Sequence, residues 1–421
     1  MNDRQQRRRR AAAMLLSLTL LLVLAKGAAR AAEAGDSAPG ERSMFVKTSG
    51  TRFVSPDGRP LLLKGINIGN WLVPEGYMFD FKTAKYPSAI YAGIERILGK
   101  EASVHFWQQF RDGFVTQADI ELIAGLGFNT IRVPFHWKLF VEEGKAAESG
   151  TIGYELLDRV VGWSKAVGLR VVIDMHAAPG GQTGINHDDG PGYPLMFYVP
   201  AHQDLTIAIW KNIARHYHDE PAVLGYDLLN EPIAPYHDVA TLNPKLEAFY
   251  RRVVAAVREV DPSHVIFLGG GQWNTNFSVF GPPFDSNAAY TYHTFWSYTR
   301  RVTIQKYLNF SNMYDVPIWL GESGEADNDW IEAFRSLHER YNISWCFWTY
   351  KNMTSPATVV SVRRPRDWNA VVAIADQTAD SDDETRRARV ALAEFLENIR
   401  LENGTINRGF VQALGLKAAG R

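Results

Sequence analysis

The chain contains eight short apolar runs, and an amphipathic stretch of helical character follows most of them. Runs that are nearly continuous in apolar residues are typical of parallel strands covered by helices. They are LLLKGIN (61–67), NTIRVPF (129–135), LRVVIDMH (169–176), VLGYDLLNE (223–231), HVIFLGG (264–270), AYTYHTF (289–295), PIWLGES (317–323) and SWCFWTY (344–350). Eight strand–helix repeats predict an α/β fold, a single (β/α)8 TIM barrel, and 421 residues is a common length for one.

Helix-like segments and two long insertions complete this barrel. The predicted helices are 116–126, 154–167, 204–217, 244–260, 329–341 and 383–400. The segment FVKTSGTRFVSPDGRPLLLKG (45–65) reads as a short N-terminal β-hairpin with Asp57-Gly58 as its turn. Long loops are expected after strand one (71–107) and strand eight (351–380), and loops of such length are more often functional than not.

The N-terminus has the pattern of an export signal. Arg7 to Arg10 are basic, residues 11–25 are apolar, and Ala29 and Ala31 form a small-residue cleavage pattern. We therefore expect a signal peptide over residues 1–32, a linker over 33–42 and the barrel domain over 43–421. The mature protein would be secreted, extracellular or periplasmic, with no membrane attachment after cleavage.

Charge and cysteine content narrow the classes of partner and of fold. The chain has 45 Lys plus Arg against 46 Asp plus Glu, a balance that argues against nucleic acid or a membrane surface as a partner. A single cysteine, Cys346, excludes an internal disulfide, so stability must come from a large core. We interpret Cys346 as a small buried hydrophobe and expect the protein to be a monomer.

Polar and aromatic residues recur at the ends of the predicted strands. In a (β/α)8 barrel the active site lies at the C-terminal ends of the strands, so these side chains should converge on one face. They are Asn67, Arg132, His136, His176, Asn230, Glu231, Trp273, His293, Phe295, Glu322 and Trp348. Any one of the histidines alone has a simpler explanation as a core residue.

Glu231 and Glu322 are the informative pair, because strands four and seven lie across the mouth of a barrel from one another. Glycoside hydrolysis needs two such carboxyl groups, one acid to protonate the leaving oxygen and one carboxylate to attack or to activate water. Arg132 beside Glu322 would keep that group ionised, and Glu231 would then carry the proton. Asn230 is placed to bind the 2-hydroxyl of the sugar.

Tryptophans near the same face can provide flat apolar platforms for sugar rings, with indole N–H groups that reach hydroxyls. The candidates are Trp71, Trp137, Trp273, Trp296 and Trp348. For Trp345, inside the apolar run of strand eight, core packing is the better interpretation.

In order along the chain, these motifs resemble glycoside hydrolase family 5, and the resemblance extends over nearly everything after residue 43. The matching motifs are KGINIGNWL (64–72), NTIRVPFHW (129–137), IDMHAAPGGQTG (173–184), LLNEP (228–232), YHTF (292–295), GES (321–323) and FWTYKN (347–352). The resemblance implies a retaining mechanism with Glu231 as acid/base and Glu322 as nucleophile. It further implies that Arg132 holds the nucleophile, that His176 and Asn230 line the subsite where cleavage occurs, that His293 lies near the catalytic pair and that Trp348 forms the floor under the sugar. From their positions near the strand ends, His136, Trp273 and Trp71 are also predicted to bind substrate.

One position departs from the family pattern, which usually places His-x-Tyr after strand six. The third position here is Phe295, which has no hydroxyl group to contact the nucleophile. The nucleophile should therefore be less well hydrogen-bonded unless Tyr292 or Tyr298 substitutes.

The loops look most like the branch of exo-β-1,3-glucanases and related β-glucosidases. Exo-acting hydrolysis of a β-linked polysaccharide or oligosaccharide, a β-1,3-glucan above all, is thus the favoured function. An endo-β-1,4-glucanase or a β-mannanase of the same family stays open.

Two more distant alternatives remain. A metal-dependent barrel hydrolase could use His136, His176 and His293 as ligands. A non-catalytic carbohydrate-binding barrel would use the aromatic residues alone, although both glutamates are present. We expect neither a metal nor an organic cofactor.

Overall fold

Eight parallel strands close into a barrel in which each strand pairs with its neighbours in sequence and the eighth pairs with the first. In chain order they are β1 Lys64–Asn67, β2 Thr130–His136, β3 Arg170–Ala177, β4 Val223–Asp227, β5 Val265–Gly269, β6 Ala288–His293, β7 Ile318–Glu322 and β8 Ser344–Phe347. All eight predicted apolar runs thus overlap a barrel strand, and the predicted fold class is confirmed.

This computed structural model describes residues 44–379 and 381–417. The chain divides into two units, Met1–Ser43 and Met44–Arg421, and the barrel forms the second. The predicted signal peptide (1–32) and linker (33–42) lie outside the described residues.

Helices surround the barrel and connect most of the strands. They are α1 Pro87–Leu98, α2 Lys100–Phe114, α3 Gln117–Leu126, α4 Ile152–Val167, α5 Pro200–Tyr217, α6 Val239–Arg258, α7 Arg301–Tyr314, α8 Asn328–Arg340, α9 Trp368–Ala375, α10 Asp382–Asn398 and α11 Arg408–Ala413. Between β5 and β6 the chain makes only the short turns Gly271–Asn274 and Phe277–Val279. Within the described part of the chain, no helix combines the length and the apolar character that crossing a membrane requires.

The helix boundaries follow from local sequence. Thr116 and Asp119 form a capping box that begins α3, with Asp119 Oδ2 accepting from the Thr116 backbone N–H at 2.8 Å. Gly168, at φ 75°, ends α4, because glycine adopts this left-handed conformation without steric cost. Between such boundaries each helix packs an apolar face on the barrel, as Leu156 and Val160 do in α4.

The N-terminal segment forms a three-stranded antiparallel sheet where a single hairpin was predicted. Its strands are Lys47–Ser49, Arg52–Val54 and Pro60–Leu61, so Asp57-Gly58 lies in the second of two turns. Phe53 from this sheet packs in one cluster with Phe267, Trp319 and Cys346 of the barrel strands. Cys346 is fully buried, as predicted.

The insertions after β1 and β8, which were predicted as long loops, contain helices that pack on each other. Helix α9 lies against α1 and α10, and Phe79, Trp368 and Phe395 stack at the junction. The Trp368 indole donates to the Phe79 carbonyl at 2.8 Å. This packing fixes the segment just before Phe79, which reaches over the barrel mouth.

Candidate active site

A cavity of about 650 Å³ opens at the C-terminal ends of the strands. A pocket of this size suits a ligand of several rings, and its position is the one expected for a barrel enzyme. Of the residues predicted from the sequence, those that line it are His176, Asn230, Glu231, Trp273, His293, Glu322 and Trp348.

Glu231 and Glu322 face one another in this cavity. Glu322 is the last residue of β7, and Glu231 follows β4 in the left-handed conformation, with φ of 47°. Such a conformation is costly for a residue with a side chain and is often found at functional sites. One carboxylate oxygen of each glutamate and a ring nitrogen of His293 all lie within 4.8 Å of one another.

Arg132 lies beneath the cavity and holds the glutamate of β7. Its Nη1 is 2.5 Å from Glu322 Oε1, and its Nη2 donates to Asn230 Oδ1 at 2.9 Å. The guanidinium is fully buried, so it does not line the cavity itself. Arg132 therefore orients Glu322 and Asn230 and has no open path to a sugar.

Two buried aspartates share the same guanidinium. Asp227 Oδ2 accepts from Arg132 Nε at 2.8 Å, and Asp174 Oδ1 lies 2.9 Å from Nη2. Burial raises the pKa of both carboxyl groups to about 7, although the positive charge of Arg132 opposes this shift. One arginine thus faces Asp174, Asp227 and Glu322, and the layer below the cavity carries a surplus of carboxyl groups.

His293 bridges the two glutamates. Its Nδ1 is 2.9 Å from Glu231 Oε1 and 3.6 Å from Glu322 Oε2, and Asn274 Nδ2 lies 3.1 Å from Nε2. Burial alone would lower the pKa of His293, but the charge of Glu322 and the hydrogen bond to Glu231 outweigh it and raise that pKa.

The surroundings of Glu231 in the structure oppose the predicted protonated state of this group. Burial alone would raise the pKa of Glu231, but its hydrogen bond to His293 and the nearby charges of His293 and His187 outweigh burial and lower the pKa to about 2. These shifts favour an ionised Glu231 beside a protonated imidazole.

His176, Asn230 and Trp348 form one wall of the cavity. His176 Nδ1 is 2.8 Å from Asp174 Oδ2, and its ring stacks on Trp348 with centroids 5.7 Å apart. Burial lowers the pKa of His176 well below its usual value, so this imidazole is neutral. The Trp348 indole donates to the Tyr77 hydroxyl at 2.6 Å, which holds the ring flat against the cavity.

Trp71 and His136 do not reach the cavity, contrary to their predicted substrate-site roles. Trp71 is buried in the main core, and its indole donates to the Arg111 carbonyl at 2.8 Å. His136 is buried beside the loop after β3, where its Nε2 is 3.2 Å from Asp189 Oδ2. Both side chains are paired with protein partners instead of facing the cavity.

The other aromatic residues considered from the sequence also divide into those that line the cavity and those that do not. Trp296 lines the cavity and is 72% exposed, whereas Trp345 is fully buried, as predicted. Phe295 also lines the cavity. Tyr292 does not replace the missing hydroxyl, because it is buried in the main core and stacks on Tyr307. Tyr298 is 77% exposed and is not a lining residue.

Sequence reasoning missed several lining residues, among them Glu75, Tyr77, His187, Lys306 and Glu325. Burial, followed by the charge of Glu322, raises the pKa of Glu75 well above its usual value. Its Oε1 lies 3.8 Å from His176 Nε2. The sequence signal for Glu75 is a carboxylate inside the otherwise apolar motif WLVPEGYMF of the insertion after β1. The packing of α9 and α10 brings this position over the cavity.

The three-histidine metal site considered above does not form. Among the residues that the structure describes, the grouping with suitable spacing for a metal ion is Glu231, His293 and Glu322. Of the three candidate histidines it contains only His293, since His136 pairs with Asp189 and His176 with Asp174.

A (β/α)8 barrel with two opposed glutamates in a cavity at the strand ends is typical of the glycoside hydrolases. Residues 94–354 match the Cellulase family, glycosyl hydrolase family 5. The chain therefore belongs to glycosyl hydrolase family 5.

The chain is also similar to individual proteins, two in sequence and one in fold. A β-xylosidase of Phanerodontia chrysosporium is 30% identical over 73% of this chain and 71% of its own length. A probable glucan 1,3-β-glucosidase A of Aspergillus niger is 28% identical over 52% of this chain, about half (53%) of the relative's length. The crystal structure of an endogalactoceramidase superposes with a TM-score of 0.59 at 17% identity, covering 88% of this chain and 84% of that one.

Proposed function

We propose that the protein is a retaining β-glycoside hydrolase that cleaves β-glucans by double displacement, with Glu322 as nucleophile and Glu231 as acid/base. The observation that carries this proposal is the separation of the two glutamates, whose nearest carboxylate oxygens lie within 4.8 Å of one another. Retaining enzymes hold the two groups about 5–5.5 Å apart, whereas inverting enzymes leave a wider gap for water.

In the first step, a Glu322 oxygen attacks the anomeric carbon while the bond to the leaving oxygen breaks. Arg132 binds Oε1 of Glu322, which leaves Oε2 as the attacking atom. The leaving oxygen takes a proton from Glu231, so the products are a glycosyl ester of Glu322 and a free hydroxyl group on the departing sugar.

The proton for this step begins on His293. Because Nδ1 lies 2.9 Å from Glu231 Oε1, the pair shares one proton, which moves to Glu231 as the leaving oxygen begins to accept it. Bonding of Glu322 to the sugar removes one of the negative charges that keep His293 protonated, which favours this transfer.

In the second step, Glu231 acts as a base. It removes a proton from water that has replaced the departed sugar, and the hydroxide attacks the anomeric carbon. The ester bond to Glu322 breaks, both groups return to their initial states, and the sugar leaves with its original anomeric configuration.

For the substrate we propose exo-acting hydrolysis of β-1,3-glucan. The probable glucan 1,3-β-glucosidase among the relatives supports the linkage. Glu75 and Tyr77, from the insertion after β1, cover one side of the cavity and support a pocket closed at that side. The β-xylosidase relative makes β-xylosides a second candidate substrate, and endo-β-1,4-glucanase or β-mannanase activity is the alternative within the family.

We further propose that the enzyme acts outside the cytoplasm, which the export pattern of residues 1–32 supports. Release of the protein into culture medium, measured by immunoblot of cells and medium, tests this point.

The test is hydrolysis of laminarin, carboxymethyl cellulose, mannan, aryl β-glucoside and aryl β-xyloside by the wild type, Glu231→Gln and Glu322→Gln. Glu332→Gln, an exposed glutamate on α8, is the matched control. Loss of hydrolysis by Glu322→Gln with an unchanged control supports the mechanism, and undiminished hydrolysis of laminarin by either active-site variant contradicts it.

Two product measurements refine the result. Proton NMR of the first-formed sugar distinguishes retention, which gives the β-anomer, from inversion, which gives the α-anomer. Chromatography of laminarin products distinguishes exo action, which releases glucose alone, from endo action, which releases a ladder of oligosaccharides.

A further inference from the structure

Five aromatic rings form a continuous row from the cavity wall to the outer surface. We call this set the aromatic row; in order it contains Trp273, Tyr236, His237, Tyr193 and Tyr198. Successive ring centroids are 6.2, 4.7, 5.1 and 5.4 Å apart. Trp273 lines the cavity, and the other four members are not among its lining residues.

The outer rings of the row are exposed to solvent. Tyr236 is 64% exposed, Tyr193 38% and Tyr198 39%. Large apolar side chains that form a contiguous exposed patch commonly mark a binding surface, and single exposed ones do not. The aromatic row, which is continuous with the cavity, is therefore a candidate binding surface.

The backbone under the row is held in place. Ile233 N–H donates to the Gln182 carbonyl at 2.9 Å, and Ala234 N–H donates to the Thr183 carbonyl at 3.0 Å. These bonds join the connection after β3, which carries Tyr193 and Tyr198, to the connection after β4, which carries Tyr236. A surface arranged before binding loses little entropy when a ligand docks.

The side chains at the outer end are fixed as well. The hydroxyls of Tyr193 and Tyr198 lie 3.2 Å apart, and Lys245 Nζ is 4.1 Å from the centroid of the Tyr198 ring. Each contact leaves ring area open to solvent, since both tyrosines keep more than a third of their surface exposed.

The position of the row relative to Glu231 indicates which part of a substrate it meets. Tyr236 lies in the same connection as Glu231, five residues further along the chain. The acid/base group contacts the leaving oxygen, so the row begins on the leaving-group side of the scissile bond. Glu75 and Tyr77 belong to the insertion after β1, a different part of the cavity wall.

We propose that the aromatic row binds the leaving-group side of a β-linked glucan chain of three or more sugars, by stacking of pyranose C–H faces on Tyr236, Tyr193 and Tyr198. This inference rests on the proposed function, because it names the residues that bind the polymer end of that same substrate. The tyrosines combine apolar faces with hydroxyls for the sugar, at small cost in side-chain freedom.

The test compares substrates of different length. For the double variant Tyr193→Ala/Tyr198→Ala we expect unchanged kcat/KM on an aryl β-glucoside, whose leaving group stays inside the cavity. On laminaripentaose we expect a fall of about tenfold, the effect of one or two lost ring contacts. Tyr193→Phe/Tyr198→Phe keeps the rings and should retain most of the activity on the pentasaccharide.

Tyr86→Ala is the matched control, because Tyr86 is 42% exposed and lies at the start of α1, outside the row. Equal losses on short and long substrates, or no loss on the long one, would overturn the proposal. A wild-type dimer in sedimentation that is absent in the double variant and present in the control would also overturn the proposal. A second copy of the chain would then occupy the row.

A binding assay separates failure of this inference from failure of the proposed function. In native gels that contain laminarin, the wild type should be retarded and the double variant should not, whether or not hydrolysis occurs. Retardation that depends on the row in a protein without hydrolase activity would support the row and contradict the catalytic proposal. Equal retardation of both proteins would contradict the row.

Discussion

His293 Nδ1 lies 2.9 Å from Glu231 Oε1 and 3.6 Å from Glu322 Oε2, so one ring nitrogen serves both glutamates of the site. The imidazole occupies the space between two groups that need opposite protonation states in the first step. Nδ1 hydrogen-bonds Glu231 Oε1, whereas its contact with Glu322 Oε2 is longer than a hydrogen bond and acts through charge.

The first prediction concerns the alkaline side of the pH–rate profile. The pKa of His293 is raised above its ordinary value of 6.5, so the proton shared with Glu231 is present below that raised pKa and is lost as the pH rises through it. We expect kcat/KM to fall on this alkaline side. His293→Gln, which keeps a neutral donor, should lower kcat/KM by about 10²-fold or more and should no longer show the same limb.

The measurement is kcat/KM from pH 4 to 10 on an alkyl β-glucoside, whose leaving oxygen needs the proton. His338→Gln is a control, because burial lowers the pKa of His338 to about 4, and its Nδ1 is 2.7 Å from the Phe334 carbonyl, away from the cavity. An alkaline limb that is identical in wild type and His293→Gln would contradict the shared proton.

The second prediction concerns the dependence on leaving group. Glu231→Gln cannot protonate the leaving oxygen, so its kcat/KM on an alkyl β-glucoside should fall by about 10²- to 10⁴-fold. The dinitrophenolate group of a dinitrophenyl β-glucoside leaves without a proton. The kcat/KM of Glu231→Gln on this substrate should therefore stay near the wild-type value. A uniform loss on both substrates would show that Glu231 has another role.

The third prediction concerns metal ions. The proposed steps use only Glu231, Glu322 and their neighbours, so we expect activity to survive dialysis against a chelator. Metal analysis by mass spectrometry before and after dialysis is the control. Loss of activity on dialysis, with recovery when one metal ion is restored, would show that Glu231, His293 and Glu322 bind that ion for catalysis.

The architecture was predictable because it depends on hydrophobic pattern. Each barrel strand lies in a short apolar run, such as SWCFW around Cys346, and the shortness of these runs favours strands over helices. The pairing of Glu231 with Glu322 was predictable for a related reason. The ends of β4 and β7 are fixed by the barrel once the strands are correctly placed.

The detailed site was less predictable because it depends on side-chain partners distant in sequence. Trp71 and Trp348 both follow strand ends, and only the structure shows that Trp71 turns to the Arg111 carbonyl while Trp348 turns to the cavity. Glu75 was missed because its place over the cavity results from packing between two insertions. A carboxylate within an apolar motif marks Glu75 as unusual, but the local sequence gives neither its position over the cavity nor the direction of Trp71.

The fourth prediction separates these two tryptophans. Trp71→Phe loses the indole hydrogen bond to the Arg111 carbonyl, so the free energy of unfolding should fall by about 1–3 kcal/mol while kcat/KM of the folded enzyme is unchanged. Trp348→Phe should lower kcat/KM by about tenfold, because the ring that faces the sugar loses its bond to Tyr77. Urea unfolding and steady-state kinetics on both variants measure the difference, and a loss of kcat/KM in folded Trp71→Phe would contradict the assignment.

The fifth prediction concerns the surplus of carboxyl groups below the cavity. Burial raises the pKa of Asp227 from 3.8 to about 7, so the folded protein retains a proton that the unfolded chain has released. The contribution of this group to stability is therefore complete below pH 3.8 and is lost as the pH rises to about 7. Asp227→Asn does not titrate, so its free energy of unfolding relative to the wild type should rise over this interval by at least about 1.4 kcal/mol.

Urea unfolding of wild type and Asp227→Asn at several pH values between 4 and 7 provides the comparison. Asp329→Asn, an exposed aspartate on α8, is the control, and its difference from wild type should stay nearly constant with pH. Parallel curves for Asp227→Asn and wild type would mean that Arg132 keeps Asp227 ionised in the folded state. The retained proton would then reside on Asp174, and Asp174→Asn would show the pH dependence instead.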